Sequence, residues 1–464
     1  MSNTPWWMRY LPLLLFELYL TGSVAVFAFG PLQWTVDNSG TVLSYVLLGQ
    51  LLILAGYRLG LAFPARGYRA GRFIDLPWKA AILITLVLLP PTWSTRNFAE
   101  ISLLEALANP ALPFHAKFLA ELDYQWLSIL RTLLAPILAL LVPLGLVYWQ
   151  RIRMPWRVLW LLAVSGRIAV AILTGRAFGI FDVALVVPWM LVLHLRQTGS
   201  DRRQAWRACV ATATVFVVCA SAWAYFSHSR RSRAALAGPE YTDALTGWSE
   251  RLYGVELPES AERDLYYLSR YLSLGYYGLS GCLDLPFEWT GGIGHSLFLT
   301  RYAGLLSPRL DWVRASTYPA RLETATGYSS VAAWHTAYAW LASDLTFPGA
   351  LVFVACAAAV LGLAWCDSLV GANPFAVGFV SQAILFFYYL PANNVRMANP
   401  EAAFSLYGLF GLWLWTRHLA AAQPGSSAVS DGARENAAAA SSDSGSSTPG
   451  SLRSSSDGKE PRLP

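Results

Sequence analysis

The sequence predicts an all-α, multi-pass membrane protein, and three observations predict it. Hydrophobic residues make up 55% of the 464 and charged residues only 13%, about half the roughly 25% charged that is usual in a soluble domain. The apolar residues are gathered into runs near the roughly 20 residues that cross a bilayer. Basic residues cluster between alternate runs, as they do in cytoplasmic loops.

Ten runs are expected to span, at about 10–29, 41–63, 78–94, 126–149, 156–174, 177–195, 207–226, 346–366, 373–391 and 402–418; a total of ten to twelve is in keeping with the pattern. The first is too long for a signal-peptide core and lacks a small-residue cleavage site, so it reads as a spanning helix. The second loop carries Arg66, Arg69, Arg72 and Lys79, the fourth Arg151, Arg153 and Arg157, and the sixth Arg196, Arg202, Arg203 and Arg207. The first loop has no basic residue. The even loops and both termini are therefore expected in the cytoplasm. Residues 1–226 then form a bundle of seven spans, 227–345 one large extra-cytoplasmic segment, 346–418 the last spans, and 419–464 a Ser/Ala/Gly-rich tail expected to be disordered. A smaller outer segment, 95–125, has amphipathic helical spacing. Five scattered cysteines suggest neither a disulfide framework nor a metal site. The net charge of +6 suits loops facing anionic lipid and does not call for nucleic acid.

Charges at membrane depth are the first candidates for chemistry, because each costs about 2.5–3.5 kcal/mol on insertion scales. Arg167 lies inside the fifth run, Arg176 at its outer end and Arg131 just inside the outer end of the fourth. Each either faces a cavity or snorkels to the interface, and Asp182 is a candidate partner for Arg167. The large segment holds ten arginines and no lysine, against eleven carboxylates before Asp344. Most read as a solvated surface. Arg270 and Arg301 differ because both are set among aromatic residues. Guanidinium groups grip phosphate in a fork, while sugars stack their CH faces on rings. Tyr276, Tyr277, Asp284, Glu288, Trp289 and Trp334 are candidate sugar contacts on those grounds. The run Gly-Gly-Ile-Gly at 291–294 lacks the strand–turn–helix setting of a phosphate loop and reads as a turn. His295, next to it, is either a base or a satisfied polar residue. Ahead of the eighth run, His335 and Tyr338 share a helical face, and Asp344 stands at the lip. Asp344 or Ser343 could simply cap that helix; alternatively Asp344 or His335 belongs to an outward-facing site. No Asp/Glu cluster suited to Mg²⁺ is visible, and no cofactor is expected.

Several stretches carry a resemblance. Asp344-Leu345-Thr346-Phe347-Pro348-Gly349, leading from a large outer segment into a span, resembles a motif of bacterial oligosaccharide repeat-unit polymerases of the Wzy type, with Leu-Thr where Phe-Gly is usual. The run "TGRAFGIFDVALVVPWMLVLHLR" at 174–196, "GYYGLS…LPFEWTGGIGHS" within 275–296 and "FYYLPANN" at 387–394 are similar to further stretches of that family. The likeness covers roughly 160–395. It implies a metal-independent glycosyltransferase of the C-type membrane class in the bacterial inner membrane. Donor and acceptor would both be undecaprenyl-pyrophosphate-linked oligosaccharides, joined at the periplasmic face into O-antigen, capsule or exopolysaccharide. A flippase and a chain-length regulator are the implied partners. Arginines (Arg176, Arg167, Arg131, Arg270, Arg301) would hold the pyrophosphate, and Asp344, His335 or His295 would take the acceptor proton. An O-antigen ligase using the same donor, and a lipid-linked-glycan transporter, are the alternatives.

Overall fold

A chain inside lipid must satisfy its backbone polar groups within each segment, so the apolar runs fold as helices. A computed structural model describes residues 4–66, 75–97, 100–119, 125–175, 177–197, 204–237, 246–248, 258–331, 333–371, 373–392 and 395–421. In chain order the helices are α1 (Trp6–Phe29), α2 (Ser39–Ala62), α3 (Asp75–Arg96), α4 (Leu103–Ala108), α5 (Ala111–Leu119), α6 (Gln125–Leu138), α7 (Leu141–Val147), α8 (Met154–Leu173) and α9 (Phe178–Gln197). They continue as α10 (Gln204–Ala237), α11 (Glu259–Leu283), α12 (Leu297–Leu306), α13 (Asp311–Ala315), α14 (Tyr318–Thr326), α15 (Ala337–Val370), α16 (Pro374–Tyr388), α17 (Val395–Ala398) and α18 (Pro400–Ala421). A short antiparallel pair, β1 (Leu32–Trp34) with β2 (Thr246–Trp248), sets Leu32 opposite Trp248 and Trp34 opposite Thr246. Of the expected tail, residues 419–421 continue α18 and the rest lies outside the described residues.

Eight helical segments among the described residues are long and apolar enough to cross a membrane, making this an all-α, multi-pass membrane protein. They coincide with the first eight expected runs, the fourth being α6 and α7 together (Trp126–Val147). The ninth run differs. It forms α16, only 15 residues long, or about 22 Å at 1.5 Å per residue, short of the roughly 30 Å apolar layer. Its residues are buried on every side except Phe375 and Tyr388, so α16 is a core helix with protein where lipid would otherwise be. The tenth run forms the 22-residue α18, which packs on α6 and α16.

Two boundaries of the large segment fall inside helices. The helix α10 runs through 226/227 for 34 residues, about 51 Å, so its C-terminal part projects past the bilayer. There His228 meets the Leu107 carbonyl at 2.9 Å and Ser232 donates to Asn109 at 2.6 Å, docking α4 and α5. The helix α15 runs through 345/346 but kinks at Thr346, whose φ of 67° and ψ of 167° are non-helical. Nor does the large segment hang free. In α11, Tyr276 shares a 2.8 Å hydrogen bond with Ser23 of α1, and Ser273 accepts from the Trp34 indole at 3.0 Å.

The closest helix contact is between α2 and α15. A Cβ on Gly56 would stand 2.1 Å from the Ala355 oxygen, and one on Gly60 2.0 Å from the Ala359 oxygen. This GxxxG face lets two backbones approach where lipid gives no hydrophobic drive.

Candidate functional site

Four arginines and two carboxylates among the described residues line one cavity of about 190 Å³: Arg96, Arg131, Arg167, Arg396, Asp182 and Glu401. They come from helix ends that topology places at one end of the bundle. Arg96 closes α3, Arg131 lies near the start of α6, Asp182 near the start of α9 and Glu401 at the start of α18. Arg131 grips Glu401 through both forks, Nε to Oε1 at 3.0 Å and Nη2 to Oε2 at 2.8 Å, and donates to Thr92 at 2.7 Å. Arg96 adds a 2.8 Å bond to the same carboxylate. Arg396 reaches Gln382 at 2.9 Å and Asp182 at 2.5 Å, and Tyr389 donates to the other Asp182 oxygen at 3.0 Å.

Arg167 is the exception. Its Nη1 donates to the Leu138 carbonyl at 2.9 Å, it pairs with no carboxylate among the described residues, and its side chain stays exposed. The break between α6 and α7 explains that bond. Pro136 and Pro143 flank it, and neither has an N–H to give to the helix ladder. Across the break α8 supplies two side-chain donors, Arg167 to the Leu138 carbonyl and the Trp160 indole to the Leu141 carbonyl (2.7 Å). Four positive charges face two negative ones, so the cavity carries a net positive charge. The rest of the lining is mixed, with Leu88, Leu138, Val164, Ile168 and Leu385 beside Thr85, Thr174, Ser381 and Ser405. Clustered guanidinium groups with apolar side chains among the lining suit an anionic group carried on a hydrocarbon chain.

The second constellation is built around Asp344. Its carboxylate accepts four hydrogen bonds: from Thr290 (2.5 Å) and Gly294 N (3.1 Å) on one oxygen, and from His295 N (2.7 Å) and His295 Nδ1 (2.8 Å) on the other. Asp344 is 4% exposed and His295 21%. A carboxylate on Nδ1 holds the proton there in the neutral ring, which leaves Nε2 as that ring's acceptor nitrogen. It faces the Tyr407 hydroxyl of α18 at 3.4 Å. The turn at 291–294 bends through Gly291 and Gly292, both at positive φ, a conformation glycine adopts without strain. The backbone N–H groups thereby converge on Asp344.

Capping, the simpler reading of Asp344, does not hold. Thr336 caps α15, accepting from Ala339 N, and Asp344 lies eight residues further on. Ser343 does not cap α15 either; it accepts from Tyr318 N, the first N–H of α14, and donates to the Ala339 carbonyl. The cap of the post-kink segment is Thr346, which accepts from Gly349 N at 3.4 Å.

The two constellations adjoin through α17. The Ser296 hydroxyl donates to the Met397 carbonyl, while neighbouring Arg396, Asn399 and Glu401 line the cavity.

Other expected residues lie elsewhere. Arg176 falls outside the described residues, between Gly175 and Ala177. Asp182 pairs with Arg396 rather than Arg167, because α16 and α17 bring Arg396 to it. His335 is 1% exposed, packed edge-on against Tyr328 and Trp340, with Nε2 on the Ser329 carbonyl at 3.3 Å. Burial pushes its pKa down to about 4, so it is a neutral packing residue. Tyr276 is 1% exposed and has no face for a sugar. Tyr277 packs between Trp34 and Tyr328, and Trp334 against Tyr271. Asp284 accepts from Asn38 at 2.8 Å, and Glu288 pairs with Arg321 at 3.1 Å. Trp289 is 64% exposed and keeps a free ring face. Arg270 is half-buried on α11 and Arg301 exposed on α12; neither lines the cavity.

Sequence reading missed Arg96, Arg396, Glu401, Gln382 and Tyr407. Glu401 and Arg396 had a signal, as charges flanking the lip of the last span in "VRMANPE". Arg96 lies just past the end of the third apolar run, with nothing in its sequence neighbours to single it out. Among the described residues no three His, Cys, Asp or Glu side chains are grouped to hold a metal. No protein-family model matches the chain, and neither a curated protein nor a solved structure matches it.

Proposed function

We propose that the chain is a glycosyltransferase of the C-type membrane class, acting without a metal. It polymerises undecaprenyl-pyrophosphate-linked oligosaccharide repeat units at the periplasmic face of a bacterial inner membrane. The carrying observation is the net-positive cavity, partly lined by apolar side chains and set beside an Asp344-held His295. A lipid diphosphate needs cations at one end and a hydrocarbon throat at the other. The acceptor hydroxyl attacks the anomeric carbon of the donor sugar. The bond from that carbon to the phosphate oxygen breaks, and undecaprenyl pyrophosphate leaves with the electron pair. The hydroxyl proton passes to Nε2 of His295, whose imidazolium Asp344 stabilises. Arg167 and Arg131 meet the charge growing on the leaving oxygen; removing one such donor typically costs about 10²–10³ in rate. Exposed Trp289, next in the chain to the Asp344 partner Thr290, stacks on the glycan in this reading.

The test is the purified protein in vesicles with lipid-linked repeat units. The expected result is a ladder of polymer with stoichiometric release of undecaprenyl pyrophosphate, unaffected by EDTA. Release only when lipid A-core is supplied would make the chain a ligase. Transport of the lipid-linked unit with no new glycosidic bond would overturn the enzymatic reading.

A further inference from the structure

A second pocket lies at the opposite end of the bundle, lined by Asp75, Trp78, Lys79, Arg151, Arg153 and Trp156. Asp75 and Lys79 open α3 and Arg153 precedes α8, whereas the arginine cavity sits where those helices end. Three cations face one carboxylate, and that carboxylate is only loosely shared with Lys79 at 3.4 Å. The side chains of Arg151 and Arg153 have no carboxylate partner among the described residues, and both are exposed. Trp78 and Trp156 pack edge to face at 5.5 Å, with the Lys79 ammonium 5.4 and 5.7 Å from the two rings. The N-termini of α3 and α8 both open here, adding their positive dipole ends.

What runs away from the pocket is apolar. On α3, Leu76, Leu83 and Val87 are exposed at 63%, 48% and 72%; with Lys79 they follow one helical stripe. On α8, Met154, Val158 and Leu162 are exposed at 65%, 59% and 56%, again at spacings of four. The two helices pack side by side, so a cationic pocket with aromatic walls is continuous with an exposed apolar surface leading toward the bilayer middle.

We propose that this pocket binds the phosphodiester headgroup of an anionic phospholipid, whose acyl chains lie along the exposed stripes of α3 and α8. The apolar continuation selects a lipid over free phosphate, which would have no use for it. Basic pockets between membrane helices on the cytoplasmic side bind such headgroups, and the charge asymmetry of the loops assigns this end to that side. The proposal stands independently of the glycosyltransferase reading.

The experiment uses the full chain, delipidated in a neutral maltoside detergent. Native mass spectrometry measures retention of phosphatidylglycerol and of phosphatidylcholine, for wild type and for Arg151→Gln/Arg153→Gln. Neither guanidinium makes a side-chain hydrogen bond among the described residues, although Arg151 lies over the Tyr148 ring at 5.6 Å, so an unchanged thermal midpoint is checked first; Lys79→Gln is a second, independent probe. One phosphatidylglycerol per chain is expected, held in preference to phosphatidylcholine. The double variant binds about thirty-fold more weakly, roughly five-fold per arginine, and millimolar inorganic phosphate does not displace the lipid. Equal retention of the two lipids, equal retention by wild type and variants, or full displacement by phosphate would each overturn the proposal.

Discussion

Replacing Asp344 with Asn separates a helix-surface residue from a site residue. The carboxylate accepts four hydrogen bonds, two on each oxygen, and an amide offers one acceptor oxygen. If that oxygen stays toward Thr290 and Gly294, the NH₂ group meets the His295 N–H, donor against donor, and Nδ1 must give up its proton. If the amide flips, the NH₂ group meets the Gly294 N–H instead. Either way one backbone N–H loses its charged acceptor and faces an NH₂ group while its neighbour keeps a bond only by reversing direction, so the expected cost is about 1.5–3 kcal/mol. That is a large share of the roughly 5–15 kcal/mol by which a protein is stable. The first orientation also installs the wrong His295 tautomer, a fault that costs about 10⁴ in rate in a serine-protease triad. His295→Asn completes the comparison. Its side-chain N–H can keep the bond to Asp344 while Nε2 disappears. Membrane extracts heated and then run on a sizing column give the midpoint temperature, and polymer length on a gel gives activity. Asp344→Asn should fall in both, and His295→Asn in activity alone. A wild-type midpoint and full-length polymer from Asp344→Asn would refute the reasoning.

Four further outcomes are expected. Glu401→Gln strands two largely buried guanidinium groups, Arg131 and Arg96; breaking such a pair costs about 3–5 kcal/mol, and an unchanged thermal midpoint would show that the cluster is not coupled. Arg167→Lys keeps the charge and the reach to the Leu138 carbonyl but not the fork, so polymer should shorten while the midpoint stays put; normal polymer would remove Arg167 from the donor site. Thr346→Gly relieves a positive φ worth about 1–3 kcal/mol and costs only tenths as a cap, so the midpoint should rise, and a fall would mean that the side chain itself holds the kink. His335 is neutral in the fold down to about pH 4, whereas the unfolded chain protonates near the ordinary value of about 6.5. Its contribution is therefore whole above pH 6.5 and lost as pH falls toward 4; His335→Phe should flatten that slope, and parallel curves would contradict it.

The spans were legible because hydropathy is a property of each segment alone. The start of the post-kink helix at Phe347 was legible for the same reason, since Phe-Pro-Gly suits a first turn wherever it occurs. His295 and Asp344 could be named separately but not as a pair, because the turn that joins them depends on Gly291 and Gly292 adopting positive φ some 50 positions away. Glu401 and Arg96 each stand as a single charge at the edge of an apolar run, and only the meeting of α3, α6 and α18 makes them partners. Tyr276 and His335 erred the other way. Polar aromatic residues in an outer segment suggest ligand contact, yet α11 turns inward and spends Tyr276 on Ser23. Which face of a loop helix meets the bundle is a tertiary fact with no periodic signature.

The glycine seam between α2 and α15 has a consequence for biogenesis. Gly56 and Ala355 are roughly 300 positions apart, and ribosomes add about 5–20 residues per second. The groove on α2 is thus made about 15–60 s before the ridge that fills it, and until then lipid tails occupy it. Assembly ends with a late docking step in which α15 displaces them. A bulky residue at Gly56 or Gly60 would leave early insertion intact and trap the nascent chain there, with its last spans made but unseated, in the form that membrane quality-control proteases meet.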